Sequence, residues 1–316
     1  MASGSSLGNR IDPEPIAWTV SDSDSGREGS IVLRGDRWGT SDRPHVLLAH
    51  GGGQTRHSWR STAAELARHG WCATAMDLRG HGDSDRSPTA TYSPDRFARD
   101  LVEVAGQFPE PPVLVGASLG GLAALRAEGS LAKGSLRAVV LVDITPRQEK
   151  AGVDRIVGFM LERAELGFAS LEEAAEAVAR YQPHRAAPPN TAGLEKNLRL
   201  GTDGRWRWHW DPAMFSSEQG LHSVRDHGAG TTGDGAVPSP NRDQHPFLSA
   251  ARALTVPTML VRGRLSDLVS EETAQEFLEL VPHALYTDVS DAGHMVAGDQ
   301  NDRFSEAVIT FLDSLI

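Results

Sequence analysis

A single cysteine, Cys72, in 316 residues excludes an internal disulfide and leaves no thiol pair for redox or zinc chemistry. That scarcity fits a reducing compartment, and a cytoplasmic location is expected. No apolar run approaches the roughly 20 residues of a helical membrane span. Residues 1–10 are rich in Ser and Gly without an apolar centre, so they read as neither a signal peptide nor an anchor. Positive charge is also short, with 31 Lys and Arg against 42 Asp and Glu for a net charge of -11, which argues against nucleic acid or an anionic membrane as partner. No internal repeat is visible. A chain that is 39% hydrophobic and 23% charged describes a soluble globular protein, long enough to bury a sizeable core as one large α/β domain or as a domain carrying an insertion.

Against that background one stretch stands out. Val113-Leu114-Val115 is an apolar run suited to a buried strand, and it leads into Gly116-Ala117-Ser118-Leu119-Gly120-Gly121 before the helix formers of residues 122–127. The pattern G-x-S-x-G thus falls at a strand-to-helix turn. There Ser118 is expected in a strained backbone conformation with its hydroxyl exposed, and Gly116 and Gly120 leave room at the bend. The helix start directs free amides, Leu119 N–H first, at any oxyanion forming nearby.

Before this point the chain reads as a tail over residues 1–12, two antiparallel strands at 15–20 and 29–34, and a buried strand at 45–49 running into His50-Gly51-Gly52-Gly53. Three consecutive glycines leave N–H groups unobstructed, making this a candidate oxyanion loop, with a plain turn as the alternative. A helix over 59–69, ended by Gly70, and a strand over 72–76 follow. Residues 77–85 are dense in charge and imidazole. His81, Asp83 and Asp85 lack a second histidine cluster at ligand spacing, so a set of loop-holding hydrogen bonds is preferred there over a metal site. Ser93 is placed to cap a helix with Pro94 in its first turn.

After the serine helix, residues 138–142 form another apolar strand ending in Asp143. Apolar runs alternating with amphipathic helices indicate a parallel sheet covered on both faces, with active groups at the strands' carboxyl ends. Residues 146–245 then change character: helical pieces, with Ser170 and Glu173 as a capping box, and no buried strand. Trp206, Trp208 and Trp210 alternate at period 2, so an extended piece would turn all three indoles to one side, to pack the segment onto the sheet or to line a pocket. Residues 228–241 read as a loop. The sheet resumes at 257–261, with Asp267 just beyond. A helix capped by Ser270, a last strand over 284–289 running into Asp291-Ala292-Gly293-His294, and a final helix from Asp302 complete the chain.

Ser118, Asp267 and His294 therefore stand beyond separate strands in the order serine, aspartate, histidine. A neutral serine needs an imidazole to take its proton, and the imidazole needs a carboxylate to fix its tautomer. With H-G-G-G at 50–53, D-L-R-G-H-G at 77–82, G-A-S-L-G-G at 116–121, G-R-L-S-D at 263–267 and A-G-H-M at 292–295, nearly the whole chain resembles the α/β-hydrolase superfamily. The resemblance implies an α/β-hydrolase fold: an eight-stranded, mostly parallel sheet with helices on both faces and a helical cap inserted after the sixth strand. The core would comprise 13–145 and 246–316, and the cap 146–245. It also implies Ser118 as nucleophile, His294 as general base and acid, and Asp267 as the orienting carboxylate, with Asp143 as the alternative acid because some members take it from the end of the sixth strand. Gly52 and Leu119 would supply the oxyanion amides, with Gly53 the alternative to Gly52. His50 would hydrogen-bond the loop, Asp291 would shape the turn, and His57 and Trp59 would face the pocket or begin the next helix.

A serine at the elbow, rather than an aspartate, argues against the haloalkane dehalogenase and epoxide hydrolase chemistry the fold also hosts. The expected reaction is hydrolysis of a carboxylic ester of a small to medium substrate through an acyl-serine, with a monoalkyl phthalate as one conceivable substrate. Lactone hydrolysis, C–C bond hydrolysis of diketones, cofactor-free perhydrolysis and a non-turnover small-molecule receptor are the rivals. No cofactor or metal is expected, and the chain is expected as a monomer or homodimer.

Overall fold

The computed structural model describes residues 12–22, 29–181, 191, 193–216, 221, 245–290 and 301–316. Almost all of the expected tail, the 228–241 loop, Asp291 and His294 lie outside them.

Eight strands form one sheet in the order β1-β2-β4-β3-β5-β6-β9-β10. The edge strands β1 (Glu14–Ser21) and β2 (Ser30–Trp38) are antiparallel to each other, and β2 is antiparallel to its inner neighbour β4 (Cys72–Met76). From β4 through β3 (His45–Ala49), β5 (Val113–Ala117), β6 (Ala138–Val142) and β9 (Thr258–Gly263) to β10 (Leu285–Val289) every pairing is parallel. The period-2 alternation of the central strands explains their apolar runs. Leu47, Ala49, Leu114 and Leu141 pack in the core on one face, while Val46, Leu48, Val115 and Val142 pack on the other.

Helices close both faces. α2 (Pro94–Ala105), α3 (Leu119–Arg126) and α7 (Pro246–Arg252) lie on the Leu47 side, with Phe97, Leu101 and Phe247 in that core. On the Val46 side lie α1 (Arg60–Arg68) and α9 (Asn301–Asp313), which bury Leu66, Phe304 and Val308. Two expected caps are present: the Ser93 side chain accepts from Arg96 N, and Ser270, before α8 (Glu271–Leu280), accepts from Thr273 N.

Between β6 and α7 the chain leaves the sheet. This inserted segment holds α4 (Lys150–Glu162), α5 (Leu171–Tyr181) and α6 (Ala213–Ser216). It is not only helical, as expected, but also contains a small antiparallel hairpin of β7 (Leu198–Leu200) and β8 (Trp206–Trp208). The hairpin is too short, at three residues a strand, to give a hydrophobic run legible in sequence. Among the described residues, no helix is long and apolar enough to cross a membrane.

The loop after β4 is anchored by a buried ion cluster. Arg79, fully buried, makes a two-pronged contact with Asp100 of α2 at 2.5 and 2.8 Å and reaches Asp22, just after β1, at 2.9 Å. Replacing Arg79 by Met would leave Asp22 buried without its cation and Asp100 paired with Arg96 alone among the described residues. Such uncompensated burial is expected to cost about 3–5 kcal/mol of unfolding free energy, measured by urea denaturation followed through tryptophan fluorescence.

Candidate active site at the carboxyl edge of the sheet

The registers align the strand ends. Met76 pairs with Ala49, Ala49 with Gly116, Ala117 with Val142, and Val142 with Val261. The residues that immediately follow four of these strands, Asp77, His50, Ser118 and Asp143, therefore form one row at the carboxyl edge, where open α/β sheets present their ligand-binding groups.

Ser118 occupies the turn between β5 and α3 at φ 47 and ψ -114, a region that non-glycine residues avoid. The turn is tight. A Cβ on Gly116 would lie 2.6 Å from Gly120, and one on Gly120 would lie 2.5 Å from the Ala49 carbonyl oxygen, so both positions require glycine. Ser118 N donates to Val142 O at 3.2 Å, its carbonyl accepts from Leu122 N at 2.9 Å, and its hydroxyl has no hydrogen-bond partner among the described residues.

The glycine loop after β3 lies against this serine; a Cβ on Gly51 would be 3.2 Å from Ser118 Cβ. Its amides are not equivalent. Gly51 N donates to Gln54 Oε1 at 3.1 Å and Gly53 N donates to His81 Nε2 at 3.1 Å. Gly52 N and Leu119 N have no acceptor among the described residues. Two imidazoles hold the loop from beneath. His50 Nδ1 is 2.7 Å from Gly51 O and its Nε2 accepts from Leu78 N at 3.0 Å, while His81 Nδ1 is 3.0 Å from Arg79 O. Each ring therefore carries its proton on Nδ1. Both are fully buried, and burial lowers the pKa of His50 to about 4 and that of His81 to about 3, the latter also through the neighbouring His50.

The other polar groups of residues 77–85 hold the loop. Asp77 accepts from Arg56 N at 2.6 Å and from Asp83 N at 2.9 Å and pairs with the Arg56 guanidinium; Asp83 is bridged by Arg56 and by Arg199 of the inserted segment. Asp85 accepts from Val32 N at 2.8 Å. Among the described residues no cluster of three His, Cys, Asp or Glu side chains could hold a metal ion.

The two aspartates expected near the site differ in setting. Asp143 is fully buried and has the same unusual backbone as Ser118, at φ 49. Its carboxylate crosses toward the end of β9, where Oδ1 accepts from Gly263 N at 3.0 Å and Oδ2 from Ser266 Oγ at 2.6 Å. Asp267 is partly exposed and turns to the inserted segment. Its Oδ2 lies 3.1 Å from Arg155 Nη1, outside good hydrogen-bond geometry, and Arg155 also sits 5.2 Å above the Tyr181 ring.

Ser118 and Gly52 open into a cavity of about 280 Å³ between the sheet edge and the inserted segment. Its far wall is apolar, built from Val153, Val157 and Met160 of α4 together with Tyr181, Trp208 and Trp210, and none of its described lining residues carries a formal charge. Trp208 and Trp210 line this cavity. The other three pocket candidates are not on this wall. Trp59 is buried on the opposite face of the sheet against Phe304, with ring centroids 5.9 Å apart, and Trp206 packs with Phe168 in the segment's own small core. His57 lies in the 3-10 turn before α1, outside the cavity lining. The α4 contribution was missed in sequence because Val153, Val157 and Met160, spaced by four and three, look like any core-facing stripe.

A model of the alpha/beta hydrolase family matches residues 46–307, and the chain belongs to that family. It is 30% identical to the Mycobacterium tuberculosis esterase Rv0045c over 88% of this chain and 85% of that protein, and 27% identical to the 3-hydroxybutyrate-oligomer hydrolase of Cupriavidus necator over 81% and 85%. A solved structure of the M. tuberculosis esterase superposes with a TM-score of 0.70, covering 96% of this chain and 92% of that one. E-2-(acetamidomethylene)succinate hydrolase, 24% identical, superposes with a TM-score of 0.75 over 95% and 100%, a likeness of fold.

The buried imidazoles set a pH dependence. Because their folded pKa values lie below the ordinary 6.5, the unfolded chain binds more protons than the folded one as pH falls below 6.5. Stability from these groups is complete above 6.5 and is lost progressively down to about 3. Melting temperatures measured across this range should decline from near pH 6.5 downward; a flat profile to pH 4 would contradict the assignment of both rings as neutral.

Proposed function

We propose that Ser118, His294 and Asp143 form the triad with which this carboxylic ester hydrolase cleaves small to medium, uncharged esters, with the segment 146–245 acting as a cap over the pocket. The observation that carries the reading is the strained serine at the strand-to-helix turn, facing a cavity beside two amides, Gly52 N–H and Leu119 N–H, that have no acceptor among the described residues. In this mechanism His294 removes the Ser118 proton as Oγ attacks the ester carbonyl. The two amides receive the resulting oxyanion, and the protonated imidazole passes its proton to the departing alcohol. Water, deprotonated by the same imidazole, then releases the acid from the acyl-serine.

Choosing Asp143 over Asp267 reverses the order expected from sequence. The choice is supported by burial and by the direction of the carboxylate, held by Gly263 N and Ser266 Oγ at the end of β9. Val289, the last residue of β10, pairs with Gly263, and His294 follows five residues later in sequence. Asp267, turned toward Arg155, suits an ionic tie between cap and core. The uncharged, largely apolar wall supports a neutral acyl group and disfavours a substrate that carries its own carboxylate, such as a monoalkyl phthalate.

Turnover of p-nitrophenyl esters tests these assignments. Ser118→Ala should reduce kcat by a factor on the order of 10⁶. Asp143→Asn should reduce it by about 10⁴, while Asp267→Asn should cost no more than about tenfold, as expected for a partly exposed ion pair. Unchanged activity in Ser118→Ala would sink the mechanism, and a larger loss in Asp267→Asn than in Asp143→Asn would restore Asp267 as the acid.

A further inference from the structure

The glycine loop and the tryptophan wall of the cavity are joined through one residue. His81 donates from Nδ1 to Arg79 O, which leaves Nε2 bare to accept from Gly53 N, and a single tautomer satisfies both contacts. The ring is fixed on two sides, edge-on to His50 at 4.9 Å between centroids and tilted against Phe97 at 6.5 Å. Its backbone is tied to the inserted segment. His81 forms an antiparallel bridge with Trp210, Gly82 N donates to His209 O at 2.8 Å, and Asp211 N donates to Gly80 O at 2.8 Å. Asp211 is itself held by Tyr92 Oη at 2.6 Å.

We propose that His81 is a positioning residue that sets the register of the glycine loop, and so decides that Gly52 rather than Gly53 offers its amide to the reacting carbonyl oxygen. This rests on the reading of Gly52 and Leu119 as the oxyanion donors. Three glycines in succession have no side chains to fix their peptide planes, and Gly53 adopts φ +77, which glycine tolerates readily. A loop so free must be held from outside. Using up the Gly53 amide pins the plane that follows Gly52 and leaves the Gly52 N–H, like that of Leu119, without an acceptor among the described residues. Because Gly80 and Gly82, on either side of His81, are hydrogen-bonded to Asp211 and His209, a shift of the Trp210 wall moves the ring that holds Gly53. Occupancy of the wall and the placement of the amide are therefore mechanically linked.

The experiment compares His81→Leu, which deletes the acceptor, with His81→Gln, whose Oε1 can replace it. Readouts are kcat and KM on p-nitrophenyl esters and the affinity of a trifluoromethyl ketone. Ser118 Oγ adds to the carbonyl carbon of that probe as the hydroxyl proton passes to His294, and the negative charge falls on the former carbonyl oxygen. His81→Leu should lower kcat and ketone affinity together by about a hundredfold, the usual effect of losing one oxyanion donor, with KM changed less than about threefold. His81→Gln should recover most of both. Equal losses in the two variants accompanied by equal drops in melting temperature would reduce His81 to a structural role, and unchanged kcat in His81→Leu would overturn the proposal.

If the leucine variant does not fold, nitrogen NMR of the wild-type histidines decides instead: a protonated Nδ1 and bare Nε2 on His81 are expected, and the opposite tautomer overturns the proposal. Failure of the triad reading is separately visible, because Ser118→Ala would then stay active whatever the His81 variants do.

Discussion

A serine at φ 47 is stable only where its neighbours forbid the alternatives, and at residue 118 they do. The cost of such a backbone is of order 1–3 kcal/mol. It is carried by the close contact of Gly116 with Gly120, by Gly120 against the Ala49 carbonyl, and by the start of α3, whose first bonds require the chain to reverse here. Because the strand ends are in register, the same reversal at β6 gives Asp143 a matching φ of 49. Two strained non-glycine residues on adjacent strands thus direct a hydroxyl and a carboxylate along one edge, while the strain is spread over a sheet buried on both faces.

The loops at this edge have little apolar surface of their own, and they are held by hydrogen-bonding groups placed in the interior. Arg79 gathers the end of β1 and α2, Asp77 gathers Arg56 and the Asp83 amide, and the paired imidazoles of His50 and His81 hold the glycines. Burying such groups is tolerable only when their partners are complete. That requirement makes the arrangement exact: a neutral imidazole with one donor and one acceptor fits two fixed backbone groups, where a flexible apolar side chain would permit several loop positions.

Much of this was legible in the sequence. The alternation within 45–49, 113–117 and 138–142, the glycines around Ser118 and the caps at Ser93 and Ser270 each follow from a local rule, and local rules survive folding. The different settings of the two aspartates did not follow from one. Both come just after a strand, and the direction of each carboxylate is set by distant groups, Gly263 N and Ser266 Oγ for Asp143 and Arg155 for Asp267. The tryptophans mark the same boundary. Period 2 does put Trp206 and Trp208 on one strand face, but Trp210 leaves the hairpin to pair with His81, so three residues in one pattern have different surroundings. Trp59 was ambiguous for a similar reason: a helix start gives no indication of which face of the sheet it will cover.

The division of labour around the cavity follows from these two kinds of interaction. On the sheet side the lining includes the glycine loop, Gln54 and Ser118, whose positions are fixed by register and by buried hydrogen bonds, so any exchange there alters the geometry around the serine. On the other side it is side-chain surface from α4 and the hairpin, attached to the core by the 80–82 and 209–211 hydrogen bonds at one end and the Arg155–Asp267 contact at the other. Apolar contact is non-directional and tolerates exchange of size and shape when volume is kept. The wall of Val153, Val157 and Met160 can therefore vary in size and shape while the row from Asp77 to Asp143 stays constant, provided that the hydrogen bonds linking residues 80–82 to 209–211 remain in place.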